Sequence, residues 1–179
     1  MAAAIKGSLK VEIRESIKLN DNSFDSYNSQ ILRDITDVSK RIVTVPITEQ
    51  ELVATSTTIG SGTFVTGDVR YVRITNLSDE WPILLTLKNS DNDEFMYKLD
   101  KKSTFIYSGE TDILGTTTGS GVARSFDSDN TALPNSDSMV DLSNITAFAS
   151  ASAEAIASGS AGEGSGVVQA NVELFVATT

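Results

Sequence analysis

Hydrophobic and polar residues alternate with a period of two along four stretches of the chain, residues 9–19, 69–75, 83–88 and 167–176. This period is typical of a β-strand that buries one face. In the first stretch the apolar parity is interrupted only by Glu15, which we interpret as the mark of a β-bulge. The residues around positions 20–23, Asn-Asp-Asn-Ser, then end the pattern. The alternation predicts a protein that opens and closes on long strands.

The stretch 68–88 is the centre of the predicted fold. Its two alternating arms are separated by residues 76–82, which carry Asn, Ser, Asp and Pro, residues that favour turns and strand ends. This pattern predicts a β-hairpin with a wide loop. Residues 95–99 alternate again and predict a third strand paired with 83–88, and residues 104–107 predict a fourth. The four strands together predict a meander.

Two segments leave alternatives open. Residues 27–38 carry apolar residues at helical spacing, but their flanks are rich in Ser, Asn and Asp, and we favour a strand. Residues 145–157 fit an alanine-rich strand or a helix equally well. Residues 41–47 predict a strand whose Pro46 indicates an edge or a bend, and residues 49–55 are a possible continuation of it.

Residues 109–141 form a long excursion dominated by Gly, Ser, Thr, Asp and Asn. Loops of this length are usually functional or mobile. Strands at short intervals on both sides of it are typical of a sandwich. The expected fold is therefore all-β, a single antiparallel β-sandwich of jelly-roll type that spans residues 1–179 and has long Gly/Ser/Asp-rich loops.

Composition narrows the classes of function. With 179 residues, 40% hydrophobic and 21% charged, the chain has the composition of a globular domain. Its net charge of −10 argues against binding to nucleic acid or to an anionic membrane surface. The amino-terminal residues lack the apolar run of a signal peptide, and no run approaches the length of a membrane span. We therefore expect a protein made in a cytoplasm.

The chain contains no cysteine and no histidine. This removes disulfides, thiolate metal sites, cysteine nucleophiles and the commonest general base and metal ligand. Asp79 with Glu80 or Glu94 is conceivable as a glycosidase pair, but the spacing favours no particular pair. The expectation is a protein that is not an enzyme and needs no cofactor or tightly bound metal.

Two acidic loops are the best candidates for calcium, whose ligands are oxygens. One loop contains Asp91, Asp93 and Glu94, and the other contains Asp127, Asp129 and Asn130. The second loop opens like a calcium-binding loop, but Ala132 and Ser138 stand where that loop has glycine and glutamate. Solvated turns in an acidic protein explain both loops more simply.

Aromatic residues are the best candidates for a binding surface. Trp81, Tyr97, Tyr107 and Phe175 are candidates for a sugar or partner site, although such residues also belong on the buried faces of sheets. Phe175 lies on the polar parity of the last strand, so it should face away from the core of its own chain and onto a second subunit. The predicted interface residues are Phe175, Trp81, Tyr107, Arg124 and Phe126.

The central segments also carry a resemblance. The sequences YVRITNL at 71–77 and ILLTL at 83–87 resemble small structural proteins of tailed bacteriophages of aquatic bacteria, such as cyanophages. Residues 40–46 and the closing NVELFVA at 171–177 are similar too. The resemblance covers the first hundred residues and the final strand and includes no catalytic motif. It implies a virion component of jelly-roll or β-sandwich type that works by assembly.

Two functions follow as expectations. The first is a capsid cement or decoration protein, made in the host cytoplasm, that assembles as a homo-oligomer, a trimer, with other virion proteins. Its contacts would be spread over loops and termini. The second is a component of a tail, baseplate or fibre that binds a host cell-surface glycan. That function requires a compact aromatic-lined site around Trp81 or Tyr107.

Overall fold

The computed structural model describes residues 5–56, 58–60, 62–89, 94–109, 142–150 and 168–179. Within these ranges the chain forms strands and one short 3-10 turn at Thr66–Asp68, and no α-helix. The prediction of an all-β protein is therefore confirmed. The strands are β1 Gly7–Leu19, β2 Asn22–Ile35, β3 Asp37–Pro46, β4 Gln50–Ser56, β5 Phe64–Val65, β6 Val69–Asn76, β7 Ile83–Asn89, β8 Glu94–Leu99, β9 Thr104–Ser108, β10 Leu142–Ala149 and β11 Gln169–Thr178.

Two sheets enclose the main hydrophobic core, in the manner of a β-sandwich. One sheet has the strand order β5-β4-β10-β7-β8 and the other β3-β11-β6-β9. Apart from the short parallel pair β4·β5, the strand pairs are antiparallel. Fully buried side chains from both sheets meet in one cluster, among them Leu52, Ile74, Leu85, Ile145 and Leu174. Strands β1 and β2 pair only with each other and form a separate two-stranded ribbon.

The hairpin predicted at 68–88 is wrong. β6 and β7 are strands, but β6 pairs with β11 and β9, whereas β7 pairs with β10 and β8 in the other sheet. Residues 77–82 therefore carry the chain across the sandwich. Asn76 is fully buried at this corner, with its amide nitrogen 2.9 Å from the carbonyl oxygen of Trp81 and 3.2 Å from that of Asp100. Alternation predicts a strand and its buried face, but it does not identify the pairing partner.

Of the predicted meander, only the pair of β7 with β8 is present. β8 pairs with β7 as expected, but β9 crosses to the other sheet and pairs with β6. In the same way β4 does not continue β3, because the chain changes sheets after Pro46. Pro46 ends a strand at the edge of the four-stranded sheet, which confirms the edge or bend that it indicated.

The two ambiguous segments are strands where they are described. Residues 27–35 belong to β2, and residues 145–149 belong to β10, whereas residues 151–157 lie outside the described part. The closing strand β11 is present as predicted, and it lies between β3 and β6. The excursion predicted at 109–141 lies outside the described residues beyond Gly109.

The bulge predicted at Glu15 is wrong, because Glu15 pairs with Ser26 in regular register. The register of the ribbon shifts instead between Gly7 and Leu9, opposite residues 33 and 34 of β2. There Asp34 has a φ of 60°, in the left-handed region that short polar side chains tolerate. The inserted residue places Leu32 and Ile35 on the same buried side, which explains their helix-like spacing.

Candidate assembly surface

The ribbon of β1 and β2 is the most prominent feature outside the sandwich. Its strands pair continuously from Leu9·Leu32 to Leu19·Asn22. Both residues of the connecting turn, Asn20 and Asp21, have positive φ angles of 48° and 64°. A type I′ turn requires such angles, and Asn and Asp adopt them more readily than other side chains. A two-stranded hairpin alone is only marginally stable in water, so the ribbon needs a surface to pack on.

In the part of the chain that the structure describes, the base of the ribbon is the part that packs on the sandwich. Leu32 and Ile35 of β2 are buried, and so are Tyr71 of β6 and Ala177 of β11, on the side of the four-stranded sheet that faces away from the core. Thr36, directly after β2, donates its backbone N–H to the carbonyl oxygen of Thr178 at 2.9 Å. We call this group the ribbon-base cluster; its members are Leu9, Val11, Leu32, Ile35, Tyr71, Phe175 and Ala177.

Beyond its base the ribbon projects away from the sandwich. Gln30 is the last anchored position, since the hydroxyl of Ser108 donates to its side-chain oxygen at 3.0 Å. Ser108 belongs to β9, an edge strand of the four-stranded sheet, so the ribbon leaves the sandwich across that edge. Every residue from 12 to 29 is exposed. We call residues 12–29 the projecting ribbon.

The two faces of the projecting ribbon differ in chemistry. Cross-strand partners share a face, so the register places four large apolar side chains on one face. They are 43–59% exposed and are Ile13, Ile17, Leu19 and Phe24. Glu15 lies among them and makes no ion pair within the described residues.

The opposite face is polar and satisfies its own charges. Glu12 accepts hydrogen bonds from Lys10 at 2.6 Å and from the hydroxyl of Tyr27 at 2.7 Å. These two partners, Lys10 first, lower the pKa of Glu12. The guanidinium of Arg14 lies over the Tyr27 ring, 5.3 Å from its centre. The polar face of the projecting ribbon therefore has hydrogen-bond and ion-pair partners within the ribbon. Within the described residues, no side chains pack on the apolar face.

A second exposed surface lies on β3, at the other edge of the same sheet. Val38, Lys40 and Ile42 alternate on the outward side of this strand, in register with outward Phe175. Val38 is 49% exposed and Ile42 is 64% exposed. Lys40 reaches Glu173 at 3.0 Å, and Arg73 also contacts that carboxylate. The hydrogen bond from Lys40 is the main cause of a lowered Glu173 pKa. Two cations therefore share one carboxylate, and this surface carries an excess of positive charge.

Phe175 points away from the core, as its parity predicted, but the structure corrects the expectation about its neighbours. Its ring packs edge-on against Tyr71, with the ring centres 5.7 Å apart, and under the guanidinium of Arg73 at 5.6 Å. Both partners belong to its own chain, and the ribbon-base cluster half-buries the ring. β11 lies inside a sheet, and the base of the ribbon covers part of its outward side.

The other predicted interface residues do not form one site. Trp81 is half-buried and packs on the main core at the corner beside Asn76. Tyr107 is 40% exposed and pairs with Val72, further toward the start of β6. Arg124 and Phe126 lie outside the described residues.

Sequence reasoning named Tyr97 and Tyr107 as candidates but missed that two sheet edges meet at these aromatic residues. Tyr97 of β8 and Phe105 of β9 have ring centres 5.9 Å apart, although their strands belong to different sheets. Phe95 and Tyr107, at 47% and 40% exposure, lie on the same two edge strands. The sequence did not predict this contact, because the meander placed β8 and β9 side by side in one sheet instead of at the edges of two sheets. We call Phe95, Tyr97, Phe105 and Tyr107 the aromatic edge.

The candidate catalytic carboxylates are not brought together. Asp79 forms an ion pair with Lys102 at 2.9 Å, and Glu94 forms one with Lys88 at 2.9 Å. Within the described residues, no three Asp, Glu, His or Cys side chains gather as a metal site would require. The acidic residues of the two candidate calcium loops, apart from Glu94, lie outside the described part.

Lys88 also binds Glu49 at 2.6 Å, and this pair makes a testable contribution to acid stability. Hydrogen bonds from Lys88 and then Thr146 lower the pKa of Glu49 below its ordinary 4.5. A carboxyl group whose pKa is lower in the folded than in the unfolded protein stabilises the fold at pH values above its unfolded-state pKa. This stabilisation is lost as the pH falls through its folded-state pKa. We therefore expect the melting temperature of Lys88→Gln to lie furthest below that of the wild type near pH 7, with the gap narrowing below about pH 4.5. A gap that stays constant from pH 7 to pH 3 would contradict this. Lys102→Gln, which removes a more exposed pair, is the control.

Comparison of the chain with protein-family models, curated proteins and solved structures finds no match. In the part of the chain that the structure describes, no helix has the length and apolar character to cross a membrane.

Proposed function

We propose that this chain is a non-enzymatic structural protein of a bacteriophage virion, a cement or decoration protein of the capsid that acts by oligomeric assembly. The observation that carries the proposal is the projecting ribbon, which holds an apolar face in solvent while its opposite face is internally satisfied. Exposed contiguous apolar surface of this kind typically marks a site of protein association. An arm that reaches beyond its own domain suits a protein that binds copies together.

Strand pairing supports the jelly-roll type that the proposal includes. Without the short β5, the sandwich strands in chain order are β3, β4 and β6 to β11. The first pairs with the eighth, the second with the seventh, the third with the sixth and the fourth with the fifth. Rolling up one long antiparallel hairpin produces this pattern. Jelly rolls are frequent among viral capsid domains, and the resemblance of residues 71–77 and 83–87 to phage structural proteins points the same way.

The proposed setting is a homo-oligomer, a trimer, that is made in the cytoplasm of the host bacterium and joins other virion proteins. The net charge of −10 is compatible with a partner surface that is basic and argues against direct contact with packaged nucleic acid. Neither nucleic acid nor membrane is a proposed partner.

The aromatic edge favours one alternative function, a tail, baseplate or fibre component that binds a host cell-surface glycan. Exposed aromatic rings stack on the apolar faces of sugars, and lectins also use jelly-roll domains. The half-exposed rings of Phe95, Tyr97 and Tyr107 are the best-placed residues for this role. Trp81 is not, because it packs on the core.

Antibody labelling of intact particles tests the proposal. A specific antibody against this chain, imaged by electron microscopy on purified particles of the phage that encodes it, should label the capsid surface at many positions. Label confined to the tail tip, together with binding of the purified protein to a glycan array, would support the alternative. Absence of the chain from purified particles, checked by mass spectrometry, would contradict both.

A further inference from the structure

We infer that the apolar face of the projecting ribbon of one copy packs on the outward side of β3 of a second copy. The inference rests on the proposed function, since it identifies the partner through which assembly occurs. It is carried by a match between two exposed strands, by their charges and by a contact of the same kind that already exists within one chain.

The projecting ribbon extends away from β3 of its own chain. The sheet order β3-β11-β6-β9 places β3 and β9 at opposite edges, and the ribbon departs across β9 after the contact between Gln30 and Ser108. The outward side of β3 therefore stays exposed at Val38 and Ile42. In a ring of copies, one neighbour supplies a ribbon for this surface and the other neighbour supplies a surface for this ribbon.

The two strands carry complementary patterns. Along β1 the outward sequence is Ile13, Glu15, Ile17, an acid between two apolar residues. Along β3 it is Val38, Lys40, Ile42, a base between two apolar residues. Side chains on one face of a strand repeat every two residues, about 7 Å, so both triplets have the same spacing. Each triplet is symmetrical about its centre, so parallel and antiparallel docking both place Glu15 opposite Lys40.

The charges of the two surfaces also match. Glu15 makes no ion pair within the described residues and lies between Ile13 and Ile17 on its strand, opposite Ser26. Lys40 shares the carboxylate of Glu173 with Arg73, so the β3 surface has one more cation than anion. Docking would give Glu15 a cationic partner and remove four apolar side chains from water, which stabilises the contact.

The ribbon base is an intramolecular example of the same contact. Leu9, Val11 and Leu32, from the same ribbon face, pack on Tyr71 and Ala177 on the same outward side of the four-stranded sheet. Docking on a neighbour repeats this contact two strands away. The two surfaces differ from each other, so the contact is head-to-tail, and rings form if the rotation closes. A three-membered ring is the trimer proposed above.

Sedimentation analysis of charge variants tests the inference. Glu15→Lys and Lys40→Glu should each weaken self-association at least about tenfold, because each creates a like-charge contact. The double variant, Glu15→Lys with Lys40→Glu, should recover most of the wild-type association, because it restores the pair with reversed sign. Ile42→Ser should also weaken association, and it tests the β3 surface while both Lys40 and Glu173 are kept.

A matched pair of aromatic variants separates the two ribbon faces. Phe24 and Tyr27 are both residues of β2 and are each 57% exposed, but their side chains lie on opposite faces of the ribbon. Phe24→Ser should weaken association, and Tyr27→Ser should not. Circular dichroism melting of each variant as a monomer reports the fold independently of association.

The outcomes keep the inference and the proposed function distinguishable. If the wild type oligomerises and the Glu15, Phe24 and Ile42 variants oligomerise equally well, the inference is wrong and assembly uses another surface. Failure of the double charge variant to recover, with its fold intact, would overturn the pairing of Glu15 with Lys40. A wild type that stays monomeric at all concentrations would overturn the inference, while particle labelling would still decide the proposed function.

Discussion

Replacing residues 12–29 with Asn-Gly is expected to leave a folded sandwich that no longer associates with itself. Val11 and Gln30, which flank the deletion, are paired residues of β1 and β2, and Asn-Gly is the preferred two-residue turn between such partners. The deleted residues are all exposed, and the ribbon-base cluster keeps all of its members. The expected result is an unchanged strand content by circular dichroism and a monomer mass by light scattering after size exclusion.

A full-length control separates the chemistry of the ribbon from its length. Changing Ile13, Ile17, Leu19 and Phe24 to Thr keeps strand propensity and the turn but removes the apolar face. This variant should also be monomeric, and for both variants the melting temperature should not depend on protein concentration. Oligomers that survive both changes would show that the ribbon is not the assembly element.

Asn76→Asp is expected to be the most destabilising single substitution at the corner between the sheets. The Asn76 amide donates toward the carbonyl oxygens of Trp81 and Asp100, and its own oxygen accepts the backbone N–H of Ser78 at 3.0 Å. Aspartate has nearly the same shape but turns a buried donor into an anion that faces carbonyl oxygens. Loss of these bonds and burial of an unpaired charge should cost about 3 kcal/mol or more. In a chain of this size the melting temperature should fall by about 6–12 °C.

Asn171→Asp is the matched control for this prediction. Asn171 is exposed on β11 and uses only its side-chain oxygen, which accepts from the hydroxyl of Thr44 at 3.0 Å. Aspartate can accept the same bond in water, so the change should be nearly neutral. Urea unfolding followed by fluorescence of Trp81 measures both variants. Equal midpoints for Asn76→Asp and the wild type would show that the corner does not depend on the amide.

For Phe175 the sequence predicted the face of the strand correctly but did not predict the neighbours of the ring. Its position on the polar parity of the last strand correctly placed the ring outside the core. Which atoms lie there depends on a segment more than 130 residues earlier, since Leu32 and Ile35 form the ribbon base beside it. The sequence pattern contained no information that this space was already occupied.

The sequence by itself determined where most strands lie and which of their residues share a face, because side-chain alternation is a property of a strand and its two faces. It therefore predicted β1, β3, β6, β7, β8, β9 and β11 and the all-β class. It also showed that the amino-terminal strand is long and that positions 20–23 end it. For the candidate surface, the apolar alternation of residues 9–19 was the one available signal.

Tertiary structure decided the pairing of the strands. β6 and β7 are neighbours in sequence but lie in opposite sheets, and β11 finds its partners β3 and β6 more than 90 residues away. Backbone hydrogen bonds are the same for any two strands, so the partner depends on how the whole set of buried faces closes around one core. Among the described residues, the ribbon makes no hydrogen bond to its own sandwich between Gln30 and the turn. An alternating pattern that normally predicts a buried face is for this reason exposed from Ile13 to Leu19.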